Sequence, residues 1–394
     1  VGDLDHLGVG IRDIVIWLSL VPGVGPRRLE RLLSAAGPEA LLGAGPAELQ
    51  RLTGLPRELV DRVVSQRRAV DPSGLGERLE ADGLHVITYL DSSYPVTLRS
   101  LIGGPAVLFV LGQPEALGAP AVAVVGTRKP SPYGVEVTRA VARDLACAGV
   151  TVISGLAVGV DAAAHQGAVD AGGRTVAVLG SGLHRLYPRE NAGLAEAIIE
   201  RGGAVISQFR PETLPNEGTF VTRNRLVAAL SRGVVVTQAP EGSGALRTAE
   251  FARELGRPVF VVPGPVTSRL HNGCHELLRR GGRAVRSGLD VLEDLGLAPG
   301  GPGVTCGSPG ACVHPDARRG SDPEEASVLE ALGHGETVPF TLLQVRTGLS
   351  SERLGAALGL LEVRGLVARL PGHCYARLET SSAPRARSTE DALD

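Results

Sequence analysis

AVAVVGTRKPSPYG, residues Ala121–Gly134, is answered about twenty residues later by SGLAVGVDAAAHQGA, residues Ser154–Ala168. The first stretch is a Val-rich apolar run that stops at Gly126. Where a dinucleotide-binding fold would carry G-x-G-x-x-G, the loop reads Gly126-Thr127-Arg128-Lys129-Pro130. The first crossover of a Rossmann-like sheet therefore presents cations in place of the glycines that make room for a pyrophosphate. That substitution points to a large external anion such as a nucleic-acid backbone, and no cofactor is expected.

The same kind of run recurs as TVISG from Thr151, TVAVLG from Thr175, AVISQ from Ala204, VVVTQ from Val234 and PVFVVPG from Pro258, with helical stretches between. Continuous apolar strands alternating with helices predict an α/β fold: an extended Rossmann-like, doubly wound parallel sheet covered on both faces. An additional strand is expected over Ala106–Leu111, at the sheet edge. Small residues close several runs, so the carboxyl edge is the expected ligand side.

Outward from this core, Ile14–Val64 has helical apolar spacing and contains LVPGVGPRRL, residues Leu20–Leu29. Two glycines flank Val24 and Pro26 opens the next helix, as in a SAM-like helix-hairpin-helix. Gly23, Gly25, Arg27 and Arg28 fit two roles, accessory contact to DNA phosphates or plain packing. Toward the other end, Glu324–Leu332, Phe340–Thr347 and Ser351–Arg364 have helical spacing, and Leu366–Leu378 reads as a ribbon turning near Gly372. Three helices and a hairpin predict a winged helix, a module that meets either DNA or protein. The expected domains are 1–83 (helical), 84–298 (sheet, with an extension over 84–118), 299–322 (Gly/Pro-rich linker), 323–379 (winged helix) and 380–394 (disordered tail).

The 394 residues are 43% hydrophobic, enough for full cores, and carry a formal net charge of −2, so any nucleic-acid site is a local patch. Among 40 basic residues Lys129 is the only lysine, and it sits in the loop after the first run. Five scattered cysteines suit a reducing interior, and Cys306, Cys312 and His314 lack metal-site spacing, so no metal is expected. No apolar run approaches the ~20 residues that span a bilayer, and a cytoplasmic protein without membrane insertion is expected.

Loops that a parallel sheet would gather offer Gly126, Thr127, Arg128 and Lys129 from one strand end and Ser154 and Gly155 from the next. Phe220 precedes Arg223, Asn224 and Arg225, and Ser243 and Gly244 open a helix that carries Arg247 and Thr248. Cations, backbone donors and one aromatic suit single-stranded nucleic acid, whose exposed bases stack on rings. Phe220 in isolation reads as core more readily than as a stacking platform, and Arg223 and Arg225 as paired or surface arginines; the convergence of five separate strand ends that offer small or cationic residues turns the reading toward a site. Asp161 and His165 form at most a bare acid/base pair, with no nucleophile, metal set or second carboxylate at recognisable spacing, so no enzymatic activity is expected.

VVGTRKPSPYG, SGLAVGVDAAAHQGA, TVAVLGSGLHRLYPREN (Thr175–Asn191), RNRLVAALS (Arg223–Ser231), SGALRTAEFA (Ser243–Ala252) and VVPGPV (Val261–Val266) together resemble the successive motifs of the bacterial DNA-processing protein A family, DprA or Smf. The resemblance covers about residues 84–297. It implies a recombination mediator that binds single-stranded DNA without sequence preference, forms a homodimer, and loads the RecA recombinase in natural transformation. It also implies a DNA pocket at Arg128, Lys129, Phe220, Ser243 and their neighbours. The dimer surface it implies lies on the last helix of the sheet domain, Gly273–Arg280, with His275 and Leu277 or Leu278. Members often carry a basic residue shortly before the motif Phe. Here the chain has Asn216-Glu217-Gly218, and Arg247 is the candidate to supply that charge.

A second reading rests on Pro240–Glu250, a distorted form of the P-G-G-x-G-T-x-x-E phosphate loop of phosphoribohydrolase or lysine-decarboxylase-like enzymes. Its second Gly is displaced and Ala245 stands in place of Thr.

Overall fold

The computed structural model describes residues 9–297, 323–332, 337–363, 366–370 and 374–377. The expected linker, the Cys306, Cys312 and His314 group, the turn at Gly372 and the tail lie outside the described residues. The chain divides into two compact units, Val1–Pro309 and Gly310–Asp394.

The first unit opens with α1 (Ile11–Ser19), α2 (Pro26–Gly43), α3 (Pro46–Thr53), α4 (Arg57–Ala69) and α5 (Leu75–Ala81). Pro26 takes the first turn of α2, where its missing N–H costs nothing, and α2 breaks at Gly37, whose φ of 71° precedes Pro38. Ile14, Trp17, Leu18, Leu32 and Leu49 are fully buried between these helices. The same apolar cluster continues into the sheet through Val86, Phe109 and Val205, so the helical module shares a core with the strands.

β1 (His85–Thr88), α6 (Val96–Arg99) and β2 (Val107–Gly112) lead into the alternating part: β3 (Ala121–Val125), α7 (Pro132–Cys147), β4 (Thr151–Ser154), α8 (Val160–Asp170), β5 (Thr175–Val178), α9 (Ala192–Glu200) and β6 (Ala204–Ser207). It continues through α10 (Glu217–Leu230), β7 (Val234–Val236), α11 (Gly244–Glu254), β8 (Val259–Val261), α12 (Asn272–Arg279), β9 (Arg283–Ala284) and α13 (Gly288–Asp294). The sheet order is β1-β2-β6-β5-β4-β3-β7-β8-β9. β3 through β9 pair in parallel, while β2 joins β6 antiparallel and β1 joins β2 antiparallel.

All six β-branched runs are thus strands, and every residue of β3 is buried because helices cover both faces. Val122 and Val124 point to α7 and α8, and Ala123 and Val125 to the α10–α11 side. The expected edge strand is β2, but it is not the edge: β1 caps it, and β9 closes the other side. Nor is α12 the last helix of this unit, since α13 follows and packs on α7 through Gly288. Chain direction along the sheet reverses outward from β3, so the crevice beyond the carboxyl ends of β3, β4 and β7 is the topological switch point.

The second unit contains α14 (Pro323–Ala331), β10 (Thr337–Pro339), α15 (Phe340–Thr347), α16 (Ser351–Val363), β11 (Val367–Leu370) and β12 (Cys374–Arg377). The strands form an antiparallel sheet in the order β10-β12-β11, and Val328, Leu343, Leu354, Leu361, Val367 and Tyr375 make its core. This is a winged helix with a third strand, β10, that helical spacing alone does not announce. Among the described residues no helix is long and apolar enough to cross a membrane.

Candidate nucleic-acid interface

A cleft of about 710 Å³ occupies the switch point. Four segments build it. The loop after β3 brings Gly126, Thr127 and Arg128, and the loop after β4 brings Gly155. One face of α10 brings Phe220, Arg223 and Asn224, and the start of α11 brings Ser243, Gly244, Arg247 and Thr248. Sheet topology therefore gathers residues that lie more than a hundred positions apart in sequence.

The loops are held closely. Thr127 N–H donates to the Gln238 carbonyl (2.8 Å), and the Lys129 N–H donates to the Thr127 hydroxyl (3.2 Å). Ser131 caps α7, and Gln238 accepts from the Ser131 N–H at 2.8 Å. Gly159, with φ of 89°, lets the start of α8 pass so near the β3 loop that a Cβ there would lie 2.5 Å from the Thr127 carbonyl oxygen. α10 begins with a reciprocal cap between Asn216 and Thr219, and the Ser243 hydroxyl accepts from Ala245 N–H at the start of α11.

The sequence-derived residues fall into three groups. Arg128 and Arg247 are exposed, line the cleft, and make no hydrogen bond or ion pair among the described residues; the same holds for the side chain of Lys129 beside it. The Arg128 guanidinium lies 5.3 Å from the centroid of the half-buried Phe220 ring. Asn224 ties the helices together, accepting from Arg223 Nε (3.1 Å) and donating to the Gly244 carbonyl (3.3 Å).

Arg223 belongs to a second group, turned inward. It is 4% exposed, and its guanidinium donates to the carbonyls of Gly155 and Val178. Asp161, also buried, accepts from the Gly155 N–H at 3.1 Å. Burial lowers the Arg223 pKa and raises that of Asp161, each opposed by the charge of the other. Gly155 has no room for a side chain, since a Cβ would overlap the Arg223 guanidinium. Ser154 is fully buried and donates to the Val124 carbonyl (2.7 Å), and Thr248 is buried beneath the cleft floor. His165 is buried one turn beyond Asp161, bonded to Thr175, and its pKa falls to about 3 through desolvation.

Arg225 forms the third group with the helix-hairpin-helix residues. It lies off the cleft, on the neighbouring side of α10, and lines a second depression with Gly23, Gly25, Arg27 and Arg28.

Two features are absent from the sequence reading. Glu217 and Glu241 also line the main cleft, so its wall is of mixed charge and not uniformly cationic. Tyr187 stands 45% exposed with its ring 5.9 Å from that of Phe220, bordering a recess of about 120 Å³ on the far side of Arg128. The aromatic within LYPREN was the available signal. On α12, Leu277 points into the core, Leu278 is half-buried, and His275 Nε2 meets the Gly264 carbonyl at 3.1 Å. Among the described residues no group of His, Cys, Asp and Glu is placed to hold a metal.

The family model for DNA recombination-mediator protein A matches residues 85–296, over half the chain and all of the sheet. The chain belongs to this family. A DprA winged-helix model matches residues 313–373 and a SAM-like helix-hairpin-helix tandem matches 18–69. Protein Smf of Synechocystis sp. is 33% identical over 391 residues, covering 92% of this chain and 98% of that protein. Protein Smf of Escherichia coli is 36% identical over 334 residues, covering 83% and 86%. The X-ray structure of DNA processing protein A from Streptococcus pneumoniae superposes with a TM-score of 0.61 at 31% identity, over 73% of this chain and 98% of that one. A DNA-processing role comes with membership.

Proposed function

We propose that this family member binds single-stranded DNA, without sequence preference, in the cleft at the switch point and hands it to the RecA recombinase as a homodimer in natural transformation. The observation that carries the reading is Phe220 under Arg128, with Arg247, unpaired among the described residues, lining the same cleft from α11. An accessible ring gives a base a stacking surface worth ~1–3 kcal/mol, and unpaired guanidiniums give phosphates their partners. None of these groups reads base edges, so the binding is indifferent to sequence. Arg247 offsets the charge of Glu217, which lines the same cleft. The half-buried Leu278 and His275 on α12 are the proposed dimer contacts.

The nucleotide-enzyme reading finds less support. The Pro240–Thr248 loop borders the cleft, but Thr248 stands where that loop would place its carboxylate, and Glu250, two residues further on, is exposed and outside the lining. Binding of single- and double-stranded DNA of equal length over a salt series, beside an assay of base release from nucleoside monophosphates, tests both. Preference for the single strand with a clear salt slope is expected. Equal affinity for both forms, or base release, would overturn the reading.

A further inference from the structure

The second depression, about 480 Å³, lies across α10 from the main cleft and joins the helical module to the sheet. Arg27 and Arg28 stand on one side of it, at the Gly23–Gly25 turn, and Arg225 and the loop at Ile102 on the other. Its charge is one-sided. Among the described residues Arg27 makes no hydrogen bond or ion pair, while Arg28 donates to the Gly23 carbonyl (2.8 Å) and Arg225 to the Ile102 carbonyl (3.1 Å). Arg62 adds a fourth guanidinium next to it, on the Pro22 carbonyl. Each of these partners is neutral, and among the described residues no carboxylate lines the depression, in contrast to the main cleft with Glu217 and Glu241.

A guanidinium has five donors, so one carbonyl leaves most of them open. Three arginines facing one concavity without an acid repel one another, and an anion from outside relieves that repulsion. Ile102, 82% exposed at the rim, adds an apolar surface that suits a sugar or base better than a free inorganic anion.

The two clefts are linked through α10. Asn224 lines the first and Arg225 the second, neighbours in sequence and about 100° apart around the helix. A helix with its side chains is only ~10–12 Å across. We propose that the strand held in the main cleft continues over α10, and that Arg27, Arg28 and Arg225 take its phosphodiester backbone. The helix-hairpin-helix is then a second contact on the same strand. This rests on the main-cleft reading above.

Oligothymidines of 6 and 30 nucleotides, titrated over a salt series against the full chain, separate the two clefts. The Arg27→Ala/Arg28→Ala double variant is expected to make the salt slope of log K on the 30-mer about 1.4 shallower, ~0.7 for each lost contact, and to leave the 6-mer unchanged. Arg225→Ala, which leaves the helical module untouched, is expected to give about half that change on the 30-mer. An unaltered slope on the 30-mer in both variants, or an equal loss on both lengths, would overturn the proposal. Arg128→Ala is the reference, expected to weaken both lengths. If it weakened neither, the main-cleft reading would fail and the continuation with it, whatever the Arg27 and Arg28 variant did.

Discussion

The guanidinium carbon of Arg128 lies over the ring of Phe220, 5.3 Å from its centroid, and that of Arg223 lies 5.8 Å from the same centroid. The two arginines differ in what else they touch. Arg128 is exposed and, among the described residues, held by the ring alone, whereas Arg223 is anchored to backbone carbonyls. A cation over an aromatic face gains ~0.5–1 kcal/mol at an exposed site, little enough for a nucleobase or phosphate to displace it. Arg128 is therefore free to turn to a phosphate, while Arg223 holds the ring's position.

Phe220→Ala is expected to cost ~1–3 kcal/mol of single-strand affinity and to leave the salt slope unchanged, because stacking releases no counterions. Arg128→Ala should do the reverse, flattening the slope by about 0.7. Thermal melts decide whether Phe220 acts only in packing. A Phe220→Ala protein that melts earlier but whose folded fraction binds at full strength would remove the stacking role.

Arg223→Ala is expected to act through the fold. It strips the buried Gly155 and Val178 carbonyls of a donor, at ~1–3 kcal/mol for each group left unsatisfied, and leaves the buried Asp161 without a nearby positive charge. Arg223→Ala should therefore lower Tm strongly, and adding Asp161→Asn should recover part of the loss. A variant that melts like wild type but binds DNA poorly would show that Arg223 instead reaches the strand directly.

Much of this is legible in the sequence where burial is two-sided. β3 to β8 are continuous apolar runs because both of their faces are covered, and β9 escapes notice because it is two exposed residues, Arg283 and Ala284. The cleft's membership follows from topology, since strand ends of a parallel sheet converge. Which arginine of Arg223-Asn224-Arg225 turns inward is a matter of helix phase. Leu226, Val227 and Leu230, at three, four and seven positions beyond Arg223, mark its face as the buried one. LVPGVGPRRL marks Arg27 and Arg28 as candidates on its own, but their meeting with Arg225 has no local signal, because it arises only once the helical module docks on the sheet.

Leu277 and Leu278 should part company. Leu277 is 5% exposed within the core shared with Val261 and Cys274, so Leu277→Glu is expected to destabilise the monomer by burying a charge. Leu278 only borders that core, so Leu278→Glu is expected to lower Tm much less than Leu277→Glu and to give a soluble monomer by sedimentation equilibrium. A Leu278→Glu protein that sediments as a dimer would move the interface off α12.

His165 gives the fold a specific acid sensitivity. The Thr175 hydroxyl donates to the Val152 carbonyl, so it accepts from Nδ1–H of His165, and the bare Nε2 is buried without a partner. Desolvation first, and the charge of Arg223 second, lower the pKa from 6.5 to about 3. With the folded value below the unfolded one, the stabilising contribution is complete above about pH 6.5 and is lost as pH falls from there toward 3, at ~1.4 kcal/mol per pH unit for one proton. Asp161, pushed the other way by burial, contributes below its ordinary 3.8 and loses that contribution as pH rises through its raised value. It is common to wild type and to His165→Asn, which keeps a donor for Thr175 but cannot titrate. The wild-type advantage over His165→Asn in urea unfolding should therefore shrink steadily between pH 6.5 and pH 4. An advantage that stays constant over that range would mean that His165 is not the group that charges when the fold opens.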